Sequence, residues 1–372
     1  MIALNYIYLS EKHAGGKDQV GFNLLKGFEE LKLTDKMVVI CFDFSEEIVK
    51  SYAPSIKVIT IPGKSIKSEI KRMMYLCYVN TFVIPKIIKE NGIDLIYHLS
   101  CNTGLRKLPC KSVVIPHDIK AVSHRVLANV KVPYYKYIVN KVMYAVDFKN
   151  NDAIIAISDT DKSEISEFYP KHANKVRRIY DPIIVAEAKD KSKVYDYNYI
   201  CAINLQFHHK NTITLIKAFE LIKDETDVNL VLIGSVPDRV SYLKEYVAEH
   251  GLTDRVVFTG FTEDSKLKRL LINSALYVNP TLYEGFGMPP LEAMACGTPV
   301  LTSNAASLPE AVGKAAILVN PYQVEAIEYG LEQLMTRPKL RAKMKQLGLA
   351  RAEQMSWENA AEKLFSIYET LG

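Results

Sequence analysis

Short apolar runs recur through the first half of the chain, at residues 2–9, 37–42, 57–61, 94–97, 112–115 and 153–157. Between them, at about 18–32, 65–90, 133–150 and 160–168, apolar residues return at helical spacing with polar residues on the other positions. Short apolar runs alternating with amphipathic stretches predict a parallel sheet with helices on both faces. The pattern loosens at Tyr180-Asp181-Pro182 and again at Ala188-Lys189-Asp190-Lys191-Ser192-Lys193. This second stretch is polar and charged, which predicts an interdomain linker. Beyond it the alternation restarts. Strands are predicted at Tyr199–Ile203, Val228–Ile233, Val256–Phe258, Leu276–Val278, from Val300, and at Ala316–Val319. The helices between them are predicted at Asn211–Leu221, Pro237–His250 and Ser265–Ser274, with another carrying Glu292 and further helices to the end. The expectation is an α/β protein of two doubly wound, Rossmann-like domains, 1–187 and 194–355. A terminal amphipathic helix over 356–372 carries the only tryptophan, Trp357.

A chain of 372 residues suits two domains. With 48% apolar and 24% charged residues it reads as globular and soluble. The six cysteines lie far apart, with no C-x-x-C pair and no metal-ligand spacing, as expected of reduced thiols in a cytoplasmic protein. The run at 2–9 is too short for a signal peptide or a membrane span. Charge is uneven: residues 1–185 hold 27 Lys and Arg against 19 Asp and Glu, and the remainder 20 against 23. A basic half can meet nucleic acid, anionic lipid or a phosphorylated substrate, or can simply be solvated.

The chemistry concentrates in Tyr283-Glu284-Gly285-Phe286-Gly287-Met288-Pro289-Pro290-Leu291-Glu292, which runs on through Ala293-Met294-Ala295-Cys296-Gly297-Thr298-Pro299-Val300. Seven residues separate the carboxylates Glu284 and Glu292. An apolar segment precedes and another follows, so the stretch reads strand, turn, helix, strand. Such a unit aims groups at the carboxyl end of a parallel sheet, where doubly wound folds bind ligands. Carboxylates accept hydrogen bonds from sugar hydroxyls, and a helix N-terminus can hold a phosphate. A lone pair of acids at this spacing would read as solvated charge. Here the spacing, the glycines and the Gly-Thr-Pro that follows all agree.

This stretch resembles the E-x7-E signature of retaining glycosyltransferases of family 4, which have the GT-B fold: two Rossmann-like domains facing across a cleft. The resemblance continues through Ser307-Leu308-Pro309-Glu310 and Gly313 and covers about Tyr199 to Pro321 well, the first domain weakly. It implies acceptor binding on the first domain, nucleotide-sugar binding on the second, and a terminal helix returning to the first. Glu284 would bind donor-sugar hydroxyls and Glu292 the ribose. Backbone N–H groups near Phe286 and Gly287 would assist. Lys210 would neutralise the diphosphate, but the neighbouring position where the family usually carries Arg is Asn204, and His209 replaces another commonly basic residue. Gly15 and Gly16, after the first strand, match the family's double glycine in the donor pocket; a plain tight turn is the alternative. His117 matches a histidine that contacts the donor sugar, and the alternatives are a loop histidine bonded to Asp118, or His98 in its place on the acceptor side. Ser158 reads as a helix N-cap. Asp159 and Asp161 spell the D-x-D of metal-dependent transferases, but they open a helix and read as dipole partners. No P-loop and no G-x-S-x-G elbow occurs.

The resemblance therefore implies a retaining, metal-independent hexosyltransferase of polysaccharide or cell-envelope synthesis. No metal ligands, cofactor or nucleic-acid partner are expected, because the nucleotide-sugar is a substrate. Similarity to bacterial polysaccharide mannosyltransferases suggests GDP-mannose, with UDP- and dTDP-sugars open. A non-catalytic nucleotide- or glycan-binding protein, and a phosphorylase or epimerase of the same fold, are the rival readings. A glycan or lipid-linked acceptor implies cytoplasmic placement with peripheral contact at the inner face of an anionic membrane. Lys67, Lys71 and Arg72, and Lys131, Lys136 and Lys141 among Tyr134, Tyr135, Tyr137 and Tyr144, would supply that contact. Core tyrosines beside solvated lysines are the plain alternative.

Overall fold

The computed structural model describes residues 1–11, 16–64, 66, 68–127, 133–183, 190–203 and 205–371. The chain divides into two compact units, Met1–Pro182 with Trp357–Gly372, and Ile183–Ser356.

In the first unit, seven parallel strands lie in the order β3-β2-β1-β4-β5-β6-β7. They are β1 (Ile2–Asn5), β2 (Met37–Phe42), β3 (Lys57–Ile61), β4 (Leu95–His98), β5 (Lys111–Val114), β6 (Ala153–Ala156) and β7 (Val176–Arg178). The order reverses between β1 and β4. There Asn5 and His98 stand side by side at the carboxyl edge. The β1 strand is shorter than the run at 2–9 predicts, because the chain turns at Tyr6 and Leu9 N–H bonds back to Tyr6 O at 3.1 Å. The rest of that run is a loop in which Tyr6, Ile7 and Leu9 are buried.

The single helix predicted over 65–90 is three pieces: Glu69–Tyr78, a π-helical turn Val79–Val83, and Ile84–Asn91. Pro85 has no N–H to give, so the hydrogen-bond ladder slips to a wider turn before it. The helix predicted over Pro237–His250 likewise divides into a 3₁₀ turn, Asp238–Val240, and Tyr242–Glu249. Three helices, Glu46–Tyr52, Lys120–Leu127 and Leu308–Val312, and the basic edge strand β7 were not predicted.

The helix Trp357–Leu371 packs on Gly16–Glu30 within the first unit. Trp357 Nε1 donates to Glu30 Oε2 at 2.7 Å, and the Tyr97 hydroxyl donates to Leu364 O. A Cβ on Gly27 would lie 2.9 Å from Trp357 O, so this crossing requires glycine.

The second unit holds six parallel strands in the order β10-β9-β8-β11-β12-β13. These are β8 (Tyr199–Ile203), β9 (Asn229–Ile233), β10 (Val256–Phe258), β11 (Leu276–Asn279), β12 (Val300–Ser303) and β13 (Ala316–Val319). Leu276, Val278, Ile200 and Leu230 pack beneath the helix Thr212–Ile222 and complete its core. The order reverses between β8 and β11, which opens a crevice beyond their carboxyl ends. All six cysteines are free, Cys41 and Cys201 being buried. Among the described residues no helix is long and apolar enough to cross a membrane.

Candidate functional site

The reversal between β8 and β11 brings together two loops that are far apart in sequence. After β8 the chain forms a 3₁₀ turn, His208–Lys210, and then Asn211 in the left-handed region at φ +58°. The Asn211 side chain holds this turn down. Its Nδ2 donates to Pro280 O at 3.0 Å and to Pro321 O at 2.7 Å, while Oδ1 accepts from Thr214 Oγ1 at 2.6 Å. The carbonyl of His209 accepts from Leu282 N–H at 2.8 Å and from Thr281 Oγ1 at 2.7 Å. These bonds press Lys210 against the turn that follows β11, where its ammonium donates to Glu284 Oε1. Both side chains are nearly dry, at 9% and 14% exposure.

The Glu284 turn is held from below. The hydroxyl of Ser307 lies 2.8 Å from Glu284 O and 2.9 Å from Phe286 O, and Ser303 Oγ donates to Thr281 O at 2.6 Å. Phe286 is buried and anchors the turn. Gly287 follows at φ +112°, and a Cβ there would meet Leu308 Cδ2 at 2.8 Å. Gly287 is also the cap of the helix Met288–Ala295. The amide supply at this helix start is smaller than a general helix N-terminus suggests. Of the first residues, Pro289 and Pro290 have no N–H, leaving Gly287 and Met288 as the forward donors.

Glu292 sits one turn into this helix and is half-buried. Burial pushes its carboxyl up to about 6, and Asp264 adds to the rise; Lys268 and Lys210 draw it back down. It is therefore an acid poised near neutrality beside the Lys210–Glu284 pair. Beneath, on one face of β11, the hydroxyl of Tyr277 and Nδ2 of Asn279 are buried and have no hydrogen-bond partner. Burial holds the Tyr277 phenol well above its ordinary range, with lesser contributions from Cys201, Glu284 and Glu292.

In the first unit His117, just past β5, is buried and left-handed at φ +65°. Its Nε2 lies 3.0 Å from Leu99 O and its Nδ1 3.6 Å from Asp181 Oδ2, so its carboxylate neighbour is Asp181 and not the adjacent Asp118. Asn5 Nδ2 stands 2.9 Å from His98 Nδ1. The amide can only donate, which makes Nδ1 the acceptor and places the ring proton on Nε2, where it has no partner. Burial lowers His98 to about 3, so it stays neutral. Ser158 is an N-cap, accepting from Asp161 N–H at 2.9 Å. The two acids of the D-x-D diverge: Asp159 pairs with Arg178 at 2.9 Å, and Asp161 Oδ2 accepts from Ile157 N–H at 3.2 Å. Gly16 opens the helix Gly16–Glu30. Gly15, Asn204, Lys67 and Lys131 lie outside the described residues. His209 is half-buried, its ring stacked on Phe207 at 5.5 Å.

The structure thus brings Lys210, Glu284, Glu292, Phe286, Gly287 and His209 to one crevice of the second unit. His117 and Gly16 belong to the first unit. Asn211, Ser307, Tyr277 and Asn279 were missed by sequence reasoning as site residues. The Lys-Asn pair ahead of a helix was a usable signal for Asn211, because asparagine tolerates the left-handed region. The other three reveal themselves only through their partners.

Residues 185–351 match the family model described as glycosyl transferases group 1. The serotype-specific mannosyltransferase WbdA of Escherichia coli is 30% identical over 270 residues, covering 68% of this chain and 33% of WbdA. The chain thus spans about a third of the length of the first curated relatives it matches. The O-antigen chain mannosyltransferase RfbU of Salmonella typhimurium is 24% identical over 335 residues, covering 88% of this chain and 89% of RfbU. Among solved structures, sucrose-phosphate synthase from Thermosynechococcus elongatus superposes with a TM-score of 0.77 at 19% identity, over 100% of this chain and 98% of that one. The fold is that of the GT-B glycosyltransferase structures.

Proposed function

We propose that this chain is a retaining, metal-independent glycosyltransferase of polysaccharide or cell-envelope synthesis. It takes a sugar from a nucleotide-sugar, with mannose from GDP-mannose favoured, and passes it to a glycan or lipid-linked acceptor. The observation that carries this reading is the Lys210–Glu284 pair at the reversal of the second sheet. An ammonium and a carboxylate neutralise one another in a nearly dry crevice, and a nucleotide-sugar offers each a separate partner. The ammonium turns to the diphosphate, where it stabilises charge on the leaving group. The carboxylate turns to hydroxyls of the donor sugar. Glu292, once ionised, accepts from the ribose hydroxyls, and the Gly287 and Met288 amides face the sugar and phosphate.

Transfer then needs no protein base. The acceptor oxygen bonds to the anomeric carbon on the face the diphosphate leaves, the bond from that carbon to phosphate oxygen breaks, and the acceptor proton passes to that same oxygen. The acceptor is assigned to the first unit, and contact with anionic membrane to its basic, tyrosine-bearing helix Tyr134–Asn150. The mannosyltransferase relatives and the matching family model support the donor and the reaction class.

The test is transfer from labelled GDP-mannose, UDP-sugars and dTDP-sugars to a lipid-linked glycan, with and without EDTA. The expected result is transfer that survives chelation and a product with the donor's anomeric configuration. An inverted product, or loss on chelation restored by manganese, overturns the mechanism. A thermal-shift panel of GDP, UDP, dTDP and ADP identifies the base, since a ligand specific to the folded state adds about 2.7 kcal/mol at a hundred times its Kd. Binding with no transfer from any donor would point to the non-catalytic reading.

A further inference from the structure

The first unit carries an apolar groove of about 570 Å³ that the transfer chemistry does not use. It runs between the helices Glu69–Tyr78 and Tyr134–Asn150, with the loop around Leu105 at one end. Met74, Tyr78, Phe82, Leu105, Val139 and Val142 line it. Met74 is 65% exposed, Leu105 67% and Val142 57%. Single exposed apolar side chains are ordinary, whereas a contiguous set around one groove marks a binding surface.

Polar clamps behind the apolar walls keep the groove from collapsing. Asn102 Nδ2 donates to Met73 O at 2.7 Å, and Asn80 Nδ2 donates to Asn102 O at 2.7 Å. Leu105 N–H donates to Thr81 Oγ1 at 3.1 Å. The Asp147 carboxylate accepts from Asn102 N–H at 2.7 Å and Thr103 N–H at 2.8 Å. Gly104, at φ +102°, lets the loop lie against the π turn, since a Cβ there would stand 3.1 Å from the Asn80 carbonyl carbon. These bonds fix the walls at their spacing, so the cavity is preformed.

The charge around it is mainly positive, although Lys136 pairs with Glu69 at 3.4 Å and Lys107 with Asp152 at 2.7 Å. The two helices and the segment 101–111 carry eight lysines and arginines against two acids, Glu69 and the buried Asp147. Arg106 lies over the Phe82 ring at 4.9 Å and Lys141 over Tyr137 at 5.5 Å. Tyr134 and Tyr135 stand exposed beside Lys136. Tyrosine and lysine around an apolar face suit the boundary between headgroups and hydrocarbon. A second copy of the chain would set cation against cation across a two-fold axis.

We propose that this groove takes a hydrocarbon chain of an anionic membrane lipid, with its rim of lysine and tyrosine in the headgroup layer. This rests on the membrane contact in the proposed function and gives it a built site. The experiment is sedimentation of the full chain with phosphatidylglycerol vesicles at low salt and at about 0.5 M salt, where surface attraction is screened. Phosphatidylglycerol bearing a photoreactive acyl chain then maps the contact. The wild type should pellet, keep a salt-resistant fraction, and cross-link to residues 73–82 and 138–143. Met74→Glu with Val142→Glu places two charges where hydrocarbon should lie and should cut pelleting by about tenfold or more. Both sites are exposed, so its melting temperature and its thermal shift with nucleoside diphosphate should be unchanged. If the wild type pellets only at low salt and the double variant pellets equally, the surface contact stands and the chain-binding groove is wrong. If the wild type never pellets, both fall. Cross-links elsewhere, or a wild-type dimer that the double variant dissolves, also overturn the proposal.

Discussion

The two units build their crevices from one strand order and fill them differently. In the first, the residues flanking the reversal are Asn5 and His98, neutral and tied to each other and to Asn80. In the second they lead to an ammonium and a carboxylate that hold one another, with an acid of raised pKa alongside. The neutral cluster finds its partners inside the protein except at His98 Nε2, and it carries no charge for a ligand to exchange. The charged pair has partners that a ligand can replace, at a place where water is scarce and electrostatics are strong. Topology therefore supplies the place for a site, and the chemistry is set by the few side chains that the loops deliver.

The comparison breaks most sharply at Glu284. Glu284→Gln should lower transfer by about a hundredfold to a thousandfold, the cost of losing one charge-stabilising group in a dry site. Nucleoside diphosphate affinity, measured by calorimetry, should hold. An equal loss of nucleotide binding would show that Glu284 does not act on the sugar. Glu292→Ala should weaken the nucleotide itself by about 1.5–3 kcal/mol, as expected for hydrogen bonds to a charged acceptor; unchanged affinity removes the ribose assignment.

The raised pKa of Glu292 gives that binding a pH signature. An acid whose folded pKa is raised favours the protonated fold, so this group's contribution to stability without ligand is full at low pH and lost as pH rises through about 6. Ribose hydroxyls need the ionised form as acceptor. The thermal shift caused by nucleotide should therefore grow between pH 5 and pH 7 in the wild type and stay flat in Glu292→Gln. A flat wild-type profile would mean that Glu292 does not meet the ligand.

Smaller effects should come from the supports. Asn211→Ala strands two buried carbonyls and should cost about 1–3 kcal/mol of stability in denaturant melts. Because Asn211 acts through Lys210, this variant should also raise KM for the donor, and Asn211→Asp, which loses the donating amide, should not rescue it. At the neutral crevice, His98→Gln should cost about 1 kcal/mol and leave nucleotide affinity alone. A nucleotide defect there would erase the contrast between the two units.

The sequence carried the doubly wound pattern well where strands are short, apolar and bounded by turns, as at Met37–Phe42 and Tyr199–Ile203. It misjudged the segment 65–90 because apolar periodicity reads the same through a π turn, and only Pro85 hinted at the break. The basic strand Val176–Arg178 escaped because an edge strand with two exposed arginines does not look apolar. At the site, Glu284 and Glu292 could be singled out because they sit in a dense motif, and Lys210 only through the family resemblance of the stretch after Ile203. That Lys210 pairs with Glu284 was not legible, since the two are 74 residues apart and meet only through strand order. Ser307 matters through a hydroxyl that donates to a carbonyl and Asn279 through an amide left over, and neither is written in a residue type.

The terminal helix also sets the order of events as the chain is made. The second unit enters and leaves at neighbouring points, with Ile183 N–H bonded to Met355 O at 2.9 Å, so its two ends close on themselves. The first unit is complete only when Trp357 reaches the notch at Gly27. At about 5–20 residues per second, the ribosome spends roughly 9–35 s between Pro182 and that helix. During this interval the amino-terminal unit waits with the Gly16–Glu30 face uncovered while the later unit closes ahead of it. The flank around Gly27 is thus the part of the first unit that stays bare until Trp357–Leu371 has been made.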